Sequence, residues 1–125
     1  MKWKKSSGQK DTFHPPVLLV GEPSAALDRM EALLAGTGAA ITRADNICYA
    51  ELFSEQQYFD AAVYSDSLSA EEQISLARIM RVRWPWMKLV RCTSQDSFTP
   101  EPGLFDCEAE SETAVPDCLR TAIFS

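Results

Sequence analysis

Histidine is nearly absent from this chain: His14 is the only one, and it stands just before Pro15-Pro16. The four cysteines, Cys48, Cys92, Cys107 and Cys118, are widely spaced and form no C-x-x-C pair. A zinc centre draws four Cys or His ligands from closely spaced pairs, so the composition argues against a metal site. The cysteines read instead as small apolar fillers in a reducing cytoplasm. No apolar run approaches the roughly 20 residues needed to cross a bilayer. No apolar stretch of signal-peptide length follows the basic start, so a cytoplasmic location without membrane contact is expected. The glycines do not form a G-x-G-x-x-G, and no phosphate-cradling loop is visible.

Basic residues are also scarce beyond the first ten positions. Lys2, Lys4, Lys5 and Lys10 fall in a stretch with no acid, whereas the remainder holds 8 basic and 18 acidic residues, a net of −10. Such a surface repels phosphates and disfavours nucleic acid. Residues 1–14 read as a flexible basic arm, a solvated tail. Residues 15–125 read as one domain, and an apolar fraction of 46% can supply its core.

Val17-Leu18-Leu19-Val20 is an unbroken apolar run of strand length, as expected of a strand buried on both faces. Gly21-Glu22-Pro23-Ser24 is a turn with Ser24 as helix cap, and Leu27, Met30, Leu33 and Leu34 follow at helical spacing up to Gly36 and Gly38. Ala39 to Ala44 is a second strand. Asp45-Asn46 can cap a helix that runs to about Gln57. Ala61 to Tyr64 is a third strand. Ser69-Ala70-Glu71-Glu72 is a capping box that opens a helix stopped by Pro85. Trp86 to Cys92 and Leu104 to Ala109 are the last strands. A final helix carries Val115, Cys118, Leu119, Ala122 and Ile123 on one face. Strands alternating with helices imply an α/β domain with a five-stranded parallel sheet. Such domains commonly take the flavodoxin-like order 2-1-3-4-5.

Three local features carry a resemblance. Val17-Leu18-Leu19-Val20-Gly21-Glu22-Pro23, Ala44-Asp45-Asn46 with Ala50-Glu51-Leu52, and Asp60-Ala61-Ala62-Val63-Tyr64-Ser65 follow one another in the order and spacing of a response-regulator receiver domain (CheY-like). The chain from Val17 to Phe124 resembles that family. The resemblance implies a pocket with an acidic pair for Mg²⁺, a phosphoacceptor aspartate after the third strand, a hydroxyl after the fourth and a lysine after the fifth. Here Gly21 and Glu22 match the acidic pair, Ser65 matches the phosphoacceptor, Thr93 matches the hydroxyl and Glu108 falls near the lysine. Asp66 stands one residue late, and a one-residue slip turns a strand side chain to the other face. A carboxylate at Glu108 is expected to repel phosphate. Only about fourteen residues separate Thr93 from Glu108, so the fourth helix should be shortened or missing. Pro100, Pro102 and Gly103 point to an irregular loop over Ser94 to Gly103.

The expected protein is therefore a degenerate pseudo-receiver, not an enzyme. It needs no cofactor and acts through a protein partner in a two-component-type pathway, with a homodimer as one form. One alternative is a conventional phospho-accepting regulator that uses Asp66. Another is a nucleotide- or flavin-binding enzyme on a flavodoxin-like fold. Trp84, Trp86, Arg91 and Phe98 are the candidate partner contacts, because tryptophan and arginine are enriched at binding hot spots. Trp84-Pro85-Trp86 fits equally a helix end packed on the sheet rim. Arg78, Arg81, Arg83, Lys88 and Arg91 form a basic stretch, either an acidic partner's docking face or a solvated surface.

Overall fold

A computed structural model describes residues 14–93 and 103–124. The five strands are β1 (Pro16–Val20), β2 (Ala40–Ala44), β3 (Ala61–Tyr64), β4 (Lys88–Cys92) and β5 (Cys107–Ala109). All pairs are parallel and the order is β2-β1-β3-β4-β5. The α/β class and the flavodoxin-like order 2-1-3-4-5 expected from the sequence are those observed. The apolar runs become strands because side chains alternate between two covered faces. Val17 and Leu19 point into a core closed by α1 (Ala25–Ala35) and α4 (Val115–Phe124), while Leu18 and Val20 point into one closed by α2 (Ile47–Gln56) and α3 (Ala70–Arg83).

Local chemistry starts the helices where the sequence indicates. Ser24 accepts from the Leu27 amide at 3.1 Å, and Asn46 accepts from the Tyr49 amide at 2.9 Å. At α3 the capping box closes both ways: Ser69 Oγ accepts from the Glu72 amide at 3.1 Å, and Glu72 accepts from the Ser69 amide at 3.0 Å. α3 ends at Arg83, two residues before Pro85. α1 ends at Ala35, and the chain reverses through Gly38, whose φ of 94° is costly for any residue with a Cβ.

The last two strands are shorter than their apolar runs. Trp86 and Met87 lie in a turn in which the Met87 amide donates to the Trp84 carbonyl at 3.0 Å. Leu104 and Phe105 are bends whose side chains plug the α2–α3 core rather than joining β5. Their apolarity reflects burial, not strand pairing. No helix lies between β4 and β5 among the described residues. The irregular loop expected over Ser94 to Gly103 lies outside the described residues except for Gly103. The basic arm does too, up to His14. That side chain already belongs to the domain, since its Nδ1–H donates to the Gly38 carbonyl at 2.7 Å.

The reading of all four cysteines as fillers needs correction. Cys107 and Cys118 form a disulfide. β5 and α4 pack together and bring the two Cα atoms to 5.8 Å, within bridging range. An eleven-residue separation carries no sequence signature, so only the fold reveals the pair. Cys92 is a buried free thiol that fits the filler role, and Cys48 is exposed.

Candidate functional site

The C-terminal ends of β1 and β3 meet where the strand order reverses, the place at which open α/β sheets hold ligands. Gly21 follows β1, and its amide donates to the Ala44 carbonyl at 3.1 Å. Ser65 follows β3, with its amide on the Val20 carbonyl at 2.9 Å. The β1–β3 register therefore runs unbroken from Val17↔Ala61 to Val20↔Tyr64 and into Ser65. No extra residue intervenes to bring Asp66 into the place of Ser65. Ser65 is buried, whereas Asp66 and Glu22 are exposed.

Hydroxyl groups fill the space between these strand ends. Ser65 Oγ accepts from the Ser67 amide at 3.0 Å and is hydrogen-bonded to Ser67 Oγ at 3.0 Å. Ser67 Oγ in turn accepts from the Glu22 amide at 3.0 Å. Gly21 is confined: a Cβ there would lie 2.6 Å from Ser65 Cβ and 3.0 Å from both Leu27 Cδ1 and Ser67 Oγ. An acidic side chain at this position has no room. The residues present do not fit the metal that a receiver pocket implies, because one carboxylate is replaced by packed backbone and the others face solvent. Among the described residues, no three His, Cys, Asp or Glu side chains cluster as a metal site.

Thr93 is half-buried after β4, with its amide on the Ala109 carbonyl at 2.9 Å. Glu108 does not stand as an unbalanced charge. Its Oε1 lies 3.1 Å from Arg91 Nη2 and 3.3 Å from Arg91 Nε. The expectation that Glu108 simply repels phosphate is corrected accordingly, since an arginine offsets its charge. Arg91 itself is 0% exposed. Its Nη1 donates to Gln73 Oε1 at 3.3 Å, and its guanidinium lies 5.0 Å from the Phe105 ring centre. Gln73 Nε2 donates to the carbonyls of Ser65 at 3.0 Å and Cys92 at 3.3 Å. A buried polar chain thus runs from Glu108 through Arg91 and Gln73 to the Ser65 loop.

Arg91 is consequently no surface contact for a partner. Its β4 position alternates with Val90 and Cys92, which turns its side chain inward beside Leu89. Trp84 is also buried, at 9% exposure, under the Arg83 guanidinium. Of the tryptophan pair, only Trp86 reaches solvent, at 51% exposure, stacked on Tyr58. Phe98 lies outside the described residues. The basic stretch is largely committed internally. Arg81 donates to the Leu104 carbonyl at 2.9 Å and to Asp106 at 2.9 Å, and Arg83 pairs with Glu51 and Glu55.

Sequence reading missed Ser67, Gln73 and Phe105. Gln73 did leave a signal, because it begins the buried stripe Gln73, Leu76, Ala77, Met80, where a polar residue needs a partner. Ser67 left none.

Burial pushes the Cys92 thiol up to about 11, and the carboxylates of Asp66 and Glu112 add to the effect. The thiol keeps its proton in the folded state after an unfolded chain would have lost it. Its contribution to stability is therefore complete below pH ~9 and fades as pH rises from about 9 towards about 11. At pH 8, iodoacetamide should modify Cys48 and leave Cys92 untouched until the protein is denatured. Equal labelling in the native state, read by peptide mass spectrometry, would contradict this burial.

The geometry defines a receiver-type α/β fold, and solved structures agree. The receiver domain of a sensor histidine kinase from Pseudomonas aeruginosa PAO1, solved with a coordinated magnesium ion, superposes with a TM-score of 0.73 at 18% identity over 90% of this chain and 100% of that one. A CheY-like receiver domain from Methylobacillus flagellatus gives 0.73 at 19% identity over 88% and 99%. The response regulator TrrA of Thermotoga maritima, in complex with Mg²⁺ and BeF, gives 0.73 at 13% over 86% and 95%. No protein-family model and no curated protein sequence matches the chain.

Proposed function

We propose that this domain is a non-phosphorylating receiver module that signals by protein contact in a two-component-type pathway, without enzymatic activity of its own. The observation that carries the reading is the closed contact between Gly21 and Ser65, where a Cβ would stand 2.6 Å from Ser65 Cβ. Receiver chemistry needs a carboxylate on each side of that contact, one to hold Mg²⁺ and one to attack phosphorus. Here one side is bare backbone and the other a serine. The Ser65 hydroxyl is engaged with Ser67, and among the described residues no base touches it that could activate it as a nucleophile.

The partner in this reading is a protein, with a second copy of the chain as one form, and neither nucleic acid nor membrane is involved. No described helix is long and apolar enough to cross a membrane. The reading carries with it a cytoplasmic location. Trp86, exposed and stacked on Tyr58, is the remaining described partner contact among the four sequence candidates.

The test is incubation with acetyl phosphate or beryllofluoride in Mg²⁺, followed by intact mass and amide chemical shifts. Unchanged mass and unshifted signals for Glu22 and Ser65 to Ser67 are expected. Stoichiometric modification that Asp66→Asn abolishes would overturn the reading in favour of a conventional regulator.

A further inference from the structure

We propose that the Cys107–Cys118 disulfide is a redox modification site opened by a dithiol reductant, and that opening it loosens edge strand β5 together with the buried Arg91 network. β5 is three residues long, sits at the end of the sheet order and pairs with β4 through three register positions. So short an edge strand holds weakly by itself, and the bridge ties it to α4. The bridge is also reachable. Cys107 is half-buried, and both cysteines line a surface groove of about 450 Å³ together with Glu108, Glu110 and Asp117. Accessible disulfides are the labile ones, and in a reducing compartment a protein disulfide is typically transient and redox-sensing.

The exchange balances without any other reactant. A thiolate of the dithiol attacks Sγ of Cys107, the more exposed residue of the pair, Cys118 being buried. The S–S bond breaks, and its electron pair leaves on Cys118, which takes up a proton. The second thiol of the reductant then attacks the mixed disulfide, closes the reductant's own disulfide and releases Cys107 as a thiol. Two electrons and two protons have passed to the protein.

Consequences cross the sheet through Glu108, which follows Cys107 on β5 and points to the opposite face, towards Arg91. If β5 shifts, Glu108 leaves Arg91, and a fully buried guanidinium loses that carboxylate. Arg91 holds Gln73, and Gln73 holds the carbonyls of Ser65 and Cys92. The state of the bridge is thereby linked to the loop at the receiver-type pocket, whether or not Asp66 accepts phosphate.

The full chain, oxidised or treated with dithiothreitol under native conditions, tests this by intact mass and hydrogen exchange. Reduction should add two hydrogens. Amides of 107–109 should then exchange at least about tenfold faster, as expected for local rather than global opening, with a smaller acceleration at 64–67. The double variant Cys107→Ser, Cys118→Ser should reproduce the reduced pattern. If that variant fails to fold, the dithiothreitol-reduced natural chain supplies the readout. A bridge that resists dithiothreitol in the folded protein would overturn the proposal. So would unchanged protection of β5 after reduction, or global unfolding, which would make the bridge a structural staple.

Discussion

Glu108→Ala should destabilise the domain more than Arg91→Met, although Glu108 is the more exposed partner of the pair. Arg91 is 0% exposed at its side chain, and Glu108 is 36% exposed. Deleting the carboxylate takes a counter-charge from a buried cation that also meets Gln73 Oε1 and the Phe105 ring. Loss of one partner of a buried pair costs about 3–5 kcal/mol, and the exposure of Glu108 places this case near the lower end, at about 3 kcal/mol. Arg91→Met leaves an acid that water can solvate. Its costs include the cation–π contact and one unfilled acceptor on Gln73, about 1–2 kcal/mol together. Urea unfolding of the oxidised protein measures both. In the Arg91→Met background, Glu108→Ala should cost less than about 1 kcal/mol. Equal costs for the two single variants, or strict additivity in the double, would show that Arg91 does not depend on Glu108.

That pair marks the limit of what the linear chain discloses. The strands, the helix caps and the helix stops follow from short-range rules: apolar runs of strand length, Ser24, Asn46 and Ser69 at helix starts, Pro85 past an end. Each acts within a few residues, so each is visible in the string. The displaced pocket was visible as well, because an unbroken register from Val17 sets Ser65 rather than Asp66 at the end of β3. What stayed hidden are pairings across the sheet. Arg91 looks like a member of a basic surface stretch until the parallel register sets it opposite Glu108. Cys107 and Cys118 look like isolated fillers until α4 folds back on β5. Leu104 and Phe105 look like strand residues until their burial in the α2–α3 core is known; the Tyr64 and Phe105 rings meet edge-on at 5.7 Å. These contacts depend on which elements become neighbours, and no local pattern encodes that.

Gly21→Asp, the substitution that would nominally rebuild the acidic pair, should instead be among the most damaging single changes in the domain. The Cβ alone would approach Ser65 Cβ to 2.6 Å, a separation that real side chains do not tolerate, and would press on Leu27 Cδ1 and Ser67 Oγ at 3.0 Å. Inserting carbon into so tight a site costs about 1–3 kcal/mol. A carboxylate pressed against Leu27 adds roughly another 1–3 kcal/mol or takes up a proton. Gly21→Ala isolates the steric part and should lose about 2 kcal/mol. Ser65→Gly removes the atom in the way, although it also gives up the hydroxyl bonds to Ser67. The pair should therefore couple: Gly21→Ala should cost at least about 1 kcal/mol less in the Ser65→Gly background than in the natural chain. Thermal or urea unfolding of the four proteins yields that difference directly. If Gly21→Ala proves neutral in the natural background, the strand ends have room to spare. The closed Gly21–Ser65 contact would then no longer stand against a phosphorylatable pocket. If the coupling appears, a side chain fits at position 21 only once that of Ser65 is removed.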